Sequence, residues 1–216
     1  MALVKLVKGQ NINLTRQFNG QTKFRVGLSW DTGAQTFDLD AIALLLTDKV
    51  DAGGKVPNED FAAAYFNNDP DRPNYQKITF QTPSGNVGFQ SIDGSVKSFG
   101  DNRTGEGSGD DETIELDLSK VDPRVKSILI LVTIYTEDDP TKNFNFGMVK
   151  NAMVKLYEGN SDVPALCFEL SEDFSTEHNL EFVEVYLHNN EWKFKALGNG
   201  NNNTFAEELK KFGIPC

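Results

Sequence analysis

Two cysteines, two histidines and eight prolines are all that a chain of 216 residues contains, and each shortage closes a class of function. Cys167 lies inside an apolar run and Cys216 is the last residue, so neither a disulfide framework nor a Cys-rich zinc site can be assembled, and a reducing compartment is expected. With His178 and His188 as the only imidazoles, zinc is disfavoured as a ligand. Basic residues are also in deficit: 21 Lys and Arg face 32 Asp and Glu, a net charge of −11. Nucleic acid and anionic lipid both require clustered cations, and none is present, so no nucleic-acid partner is expected. Long hydrophobic runs are missing as well. The longest, Ala41 to Leu46 and Ile128 to Ile134, are far short of the roughly 20 residues that cross a bilayer. No direct membrane insertion is therefore expected. The first residues, MALVKLVKGQ, alternate Lys with apolar side chains and lack the apolar core of a secretion signal, which points to a cytoplasmic protein.

What remains is 38% apolar and 11% aromatic, enough for one sizeable core. The apolar segments are short, alternating or β-branched, and are separated by turn residues, the pattern of strands facing one core. Phe24, Val26, Leu28 and Trp30 recur at period two, with Lys23, Arg25 and Ser29 on the opposite face. Further strands are expected at 37–46, 61–66, 75–80, 113–118, 127–135, 152–157, 165–170 and 180–187. Eight or nine strands make an all-β fold, a β-sandwich of two antiparallel sheets. In VEVYLHNNEWKFKAL two alternating runs meet at His188, Asn189 and Asn190, residues suited to a tight hairpin. Thr204 and Glu207 form a capping box, Phe205, Leu209 and Phe212 share a helical face, and Gly213-Ile-Pro ends the segment. A short C-terminal helix follows, with Asn199 to Asn203 as its linker. The chain is expected to be a single domain, 1–216, with an added hairpin at 69–91.

The charge is concentrated. Between Asp93 and Asp117, eight acids face two bases. The centre, GDNRTGEGSGDDE, combines carboxylates and an amide with four glycines. Such a backbone bends tightly and can turn its carbonyls toward one point. Hard oxygen donors on an irregular loop suit Ca²⁺, which accepts about 6 to 8 oxygens in flexible geometry. The loop is not an EF-hand: counting from Asp101, position three is Arg103 and position six is Glu106. Its Gly105, Gly107, Gly109 spacing also fails the dinucleotide and P-loop patterns. An alternative is a solvated acidic turn. Asp38 and Asp40 form a second carboxylate pair, two apart in an expected strand and so on one face. Like charges there repel unless solvated or neutralised by a cation, and the competing reading is the solvent-facing side of an edge strand. Asn67 and Asn68 end another expected strand and offer amide oxygens or a turn.

FDLDA at 37–41, YFNN at 65–68 and above all GDNRTGEGSGDDETI at 100–114 resemble the motifs of the tellurium-resistance TerD family. The similarity continues through DLSKV at 117–121, ILILVTIY, NFGMVKNAMVKLY at 144–157, LSEDFSTE at 170–177 and EWKFKALG at 191–198. It implies a calcium-binding, non-enzymatic stress-response β-sandwich that binds two Ca²⁺ ions. The ligands it implies are Asp38, Asp40, Asp101, Asp110, Asp111 and Glu112, oxygens of Asn67, Asn68, Asn102 and Thr104, and carbonyls around Gly105 and Gly107. Implied partners are other tellurium-resistance or stress-response proteins, or a membrane-associated complex. The 69–91 excursion, which precedes Asp93-Gly-Ser-Val, departs from the family pattern.

Three functions compete. A calcium-dependent adaptor or scaffold follows from the acidic clusters and the family motifs. A carboxylate-based hydrolase has no nucleophile-base combination to recommend it. A calcium-dependent carbohydrate-binding module would need exposed Trp30 or Trp192, and both lie in phase with apolar neighbours; a cyclic-nucleotide module, which the family resemblance also allows, has no residues here that mark a nucleotide pocket.

Overall fold

The computed structural model describes residues 2–31, 38–63, 78–83, 85, 87–99, 109–135, 144–170 and 174–215. In chain order these form β1 (Val4–Leu6), β2 (Asn11–Asn13), α1 (Leu14–Gln17), β3 (Lys23–Asp31), β4 (Asp38–Leu46), β5 (Ala62–Ala63), β6 (Thr79–Gln81) and β7 (Val87–Gln90). They continue with β8 (Val96–Ser98), β9 (Glu112–Asp117), β10 (Ser127–Tyr135), β11 (Lys150–Glu158), β12 (Pro164–Glu169), β13 (Asn179–His188), β14 (Glu191–Asn201) and α2 (Phe205–Lys211). One sheet has eight strands in the order β1-β12-β11-β3-β9-β8-β7-β6, and the other six in the order β2-β14-β13-β10-β4-β5. The all-β expectation holds, with more strands than the eight or nine read from the sequence. Every ladder is antiparallel except β1 with β12, which run parallel.

The alternation in β3 reports its place directly: Phe24, Val26, Leu28 and Trp30 are buried on the face toward the other sheet. β4 and β10 read instead as near-continuous apolar runs, because both of their faces are covered. Val56 after β4 and Leu209, Phe212 and Ile214 of and after α2 are buried in the same apolar cluster. Val56 donates its N–H to the Phe212 carbonyl, and Lys211 of α2 pairs with Glu181 of β13 and, at 3.4 Å, with Glu208. The capping box of α2 forms as expected: the Glu207 N–H donates to the Thr204 hydroxyl, and the Thr204 N–H donates to Glu207 at 2.8 Å. Asn189 and Asn190 adopt φ of 53° and 60°, so the β13–β14 hairpin turns through two left-handed residues. β6 and β7 pair antiparallel and extend the edge of the eight-stranded sheet.

One expectation needs correction. Residues 199–201 are not a linker but the last rungs of β14, with Asn201 opposite Asn179 and Gly200 opposite Leu180. A Cβ at residue 200 would stand 2.4 Å from Glu177 Cγ and 2.9 Å from the Phe174 ring, so glycine here serves close packing rather than a bend. At 61–66 the described part begins with a single 3₁₀ turn, Glu59–Phe61, stabilised by the Asn58 side chain accepting from the Asp60 N–H at 3.0 Å. Ala62 and Ala63 then pair with β4, within the strand expected at 61–66, and residues 64–66 lie outside the described residues.

Glu184 on β13 is 0% exposed, with Oε1 accepting from the Val50 N–H at 2.8 Å. Burial pushes its carboxyl pKa above the ordinary 4.5, against the help of the Val50 and Ser127 hydrogen bonds. An acid whose folded value is raised adds no penalty below its unfolded value. It costs stability as pH rises from there through the folded value. Glu184→Gln retains an acceptor for Val50. It is expected to raise the melting temperature at pH 7 by about 2–4 °C and to leave it unchanged at pH 4, measured by thermal denaturation at both pH values.

Candidate metal centre

The register brings the acidic positions to one end of the sandwich. Asp31, at the end of β3, lies opposite Lys150 at the start of β11, and Leu28 opposite Glu112 at the start of β9. In the other sheet Asp38 starts β4 opposite Tyr135 at the end of β10, and Asp40 lies opposite Thr133. The two ends are joined by a direct bond: Glu112 Oε2 accepts from the backbone N–H of Ala41 at 3.2 Å.

Three consecutive acids leave the start of β9 for three different places. Glu112 points inward in phase with Ile114 and Leu116, is 4% exposed, and spans the sandwich to β4. Asp111 sits at the tip, where its N–H donates to the Leu28 carbonyl at 2.7 Å and its Oδ2 accepts from the Trp30 N–H at 3.0 Å. Burial pushes the Asp111 carboxyl pKa up and the neighbouring acids Asp110 and Asp31 add to the rise, while the Trp30 N–H and the Lys155 ammonium oppose it. Asp110 goes to the outer face of the eight-stranded sheet. There Oδ1 accepts from Lys155 Nζ at 2.9 Å and the Tyr157 hydroxyl at 3.1 Å, and Oδ2 from Arg25 Nη1 at 3.4 Å.

Asp40 is 7% exposed, which overturns the solvent-facing reading of its strand. The residues that continue its face, Ile42, Leu44 and Leu46, are fully buried. Burying a carboxylate is costly unless its charge is paired or its oxygens are bonded. Trp30 is also buried at this end, in the core as expected, and its indole N–H has no acceptor among the described residues. Trp192 is partly buried against the core. Asn67, Asn68, Asp101, Asn102, Thr104, Gly105 and Gly107 lie outside the described residues.

The chemistry of the described donors fits a hard divalent cation: all are oxygens, and Asp111 is set among like charges that such an ion would offset. Among the described residues no group of three or more Asp, Glu, His or Cys side chains is close enough to hold a metal. A complete shell would therefore need donors from residues 64–68 and 100–108 as well. Sequence reasoning named the acids and missed Lys155, Tyr157 and Arg25. Their signal is present only in the pairing of β3 with β11, which sets Lys155 opposite Gly27 and Tyr157 opposite Arg25.

A β-sandwich with carboxylates gathered at the ends of its central strands is the class of protein that fold and site together define. The TerD domain model matches residues 1–212, and the chain belongs to that family, one of tellurium resistance and general stress response. It is 37% identical to tellurium resistance protein TerD of Serratia marcescens, over 98% of this chain and 97% of that one. General stress protein 16U of Bacillus subtilis is 36% identical over 98% of this chain and 97% of its own length. The fold resembles that of a solved homologue of telluride resistance protein (TerD) from Streptomyces coelicolor A3(2). The TM-score is 0.57 at 18% identity, covering 91% of this chain and 100% of that one. No helix among the described residues is long and apolar enough to cross a membrane.

Glu112 bonds a backbone N–H inside the sandwich, so truncation and isosteric replacement should differ. Glu112→Ala strands the Ala41 N–H and is expected to cost about 2–3 kcal/mol, while Glu112→Gln retains an acceptor and costs under about 1 kcal/mol. Urea unfolding in chelator compares the two directly.

Proposed function

We propose that this protein is a calcium-dependent, non-enzymatic adaptor or scaffold of the stress response. The observation that carries the reading is the set of buried acids at one end of the sandwich. Asp40 and Glu112 are 7% and 4% exposed, and the ionised form of Asp111 is opposed by burial and by two neighbouring acids, with the Trp30 N–H and Lys155 acting the other way. A chain of net charge −11 gains most from a divalent cation where its own carboxylates repel. Asp38, Asp40, Asp111 and Glu112 would hold the ions. Asn67, Asn68, Asp101, Asn102, Thr104 and the carbonyls of Gly105 and Gly107 would supply further oxygens, for two ions in all. Ion binding would fix the connections at this end into one surface. That surface would be the one offered to other tellurium-resistance or stress-response proteins, or to a membrane-associated complex, in the cytoplasm.

Isothermal calorimetry on chelator-stripped protein tests the reading. One or two Ca²⁺ should bind in preference to Mg²⁺, and binding should be lost in the combined Asp40→Asn, Asp111→Asn variant. Calcium at one hundred times its Kd should stabilise the fold by about 2.7 kcal/mol. Absence of calcium uptake, or equal uptake by the variant, would refute it.

A further inference from the structure

Asp110 belongs by sequence to the acidic run, yet the fold spends it elsewhere. Its side chain is 6% exposed and lies between two cations, Lys155 at 2.9 Å and Arg25 at 3.4 Å. The Tyr157 hydroxyl donates to the same oxygen as Lys155 at 3.1 Å. Arg25 in turn stacks over the Tyr157 ring, 3.9 Å from its centroid, and donates to the Ser161 carbonyl at 3.0 Å. Burial and the bond to Asp110 push the Tyr157 phenol pKa up, so it stays a donor. Gly27 makes the site possible, because a Cβ there would stand 2.0 Å from Asp110 Oδ2.

A carboxylate in this setting is poorly suited to a second task. Both oxygens already accept hydrogen bonds, and a divalent ion beside Lys155 and Arg25 would meet two like charges. Asp111 and Glu112 accept from backbone N–H groups, those of Trp30 and Ala41.

We infer that Asp110 is a positioning residue, the seat that fixes the end of the 100–109 connection to the outer face of the eight-stranded sheet through Lys155, Tyr157 and Arg25, and not one of the cation-holding groups. The calcium part of this inference rests on the proposed function, whereas the seat itself does not. Occupancy at the sandwich end would then be coupled to the outer face through one side chain.

The test is a double-mutant cycle on the full chain, Asp110→Asn against Lys155→Met, read first by thermal melting in chelator and then by calcium calorimetry. In chelator each single variant should melt lower than the parent, and the double variant no lower than the worse single one. Gly27→Ala displaces the Asp110 carboxylate without changing any charge and should reproduce the Asp110→Asn melt. With calcium, Asp110→Asn and Lys155→Met should both leave stoichiometry unchanged and weaken affinity by about 10- to 100-fold, as outer-shell changes do. Additive melting shifts would overturn the seat. Loss of one calcium equivalent in Asp110→Asn, with tighter binding in Lys155→Met, would instead make Asp110 a ligand that Lys155 competes for. If the parent protein takes up no calcium, the proposed function fails while the chelator cycle still decides the seat.

Discussion

The bond between Glu112 and the Ala41 N–H is the constraint on which the acidic end depends, because it ties the start of β9 in one sheet to β4 in the other. Among the described residues β5 pairs with β4 at Ala43 and Leu44. The buried N–H of Ala41 must be met, and a carboxylate reaching across the core meets it. Once Glu112 is committed inward, the pleat and the tip dispose of its two predecessors. Asp111 turns to the Trp30 N–H and Asp110 to the outer face over Gly27. Three adjacent charges are thereby separated in space by the same geometry that closes the sandwich.

The distribution also explains how a fold tolerates so much acid at one end. The strands that carry these residues are the long central ones, and their interior positions are buried throughout: Val26 and Leu28 in β3, Leu39 and Leu45 in β4, Ile128 and Ile130 in β10. Burial of that kind stabilises by about 25 cal/mol per Å² of apolar surface. Repulsion at strand ends falls on the turn that carries it and leaves the core pairing intact.

Much of this was legible in the sequence, for reasons that differ by element. β3 shows its face because one side is wet and period two survives. The β13–β14 turn shows because Asn189 and Asn190 must take positive φ, and α2 because its capping box is local. The three-residue strands β1, β2, β6 and β8 are too short to display a period at all. Residues 199–201 mislead in the opposite way. Their Gly and Asn composition says loop, while the packing of Glu177 and Phe174 over Gly200 makes them strand. At the site, the acids were visible by type, and Asp38 with Asp40 by spacing. The burial of Asp40 was not, since it comes from Ile42, Leu44 and Leu46 continuing the same face into a covered layer.

Asp110 shows most clearly why an acidic cluster cannot be read as one unit. In the sequence it is indistinguishable from Asp111, its neighbour in a run of three. What separates them is the outward row of the eight-stranded sheet, where Gly27 on β3 lies opposite Lys155 on β11 and Arg25 opposite Tyr157. A residue with no side chain leaves the recess, two cations and a phenol line it, and the nearest mobile carboxylate fills it. The charge of Asp110 is then met by Lys155 and Arg25, while that of Asp111 is opposed by burial, Asp110 and Asp31 and favoured by the Trp30 N–H and Lys155. Identical side chains one residue apart thus meet different electrostatic surroundings.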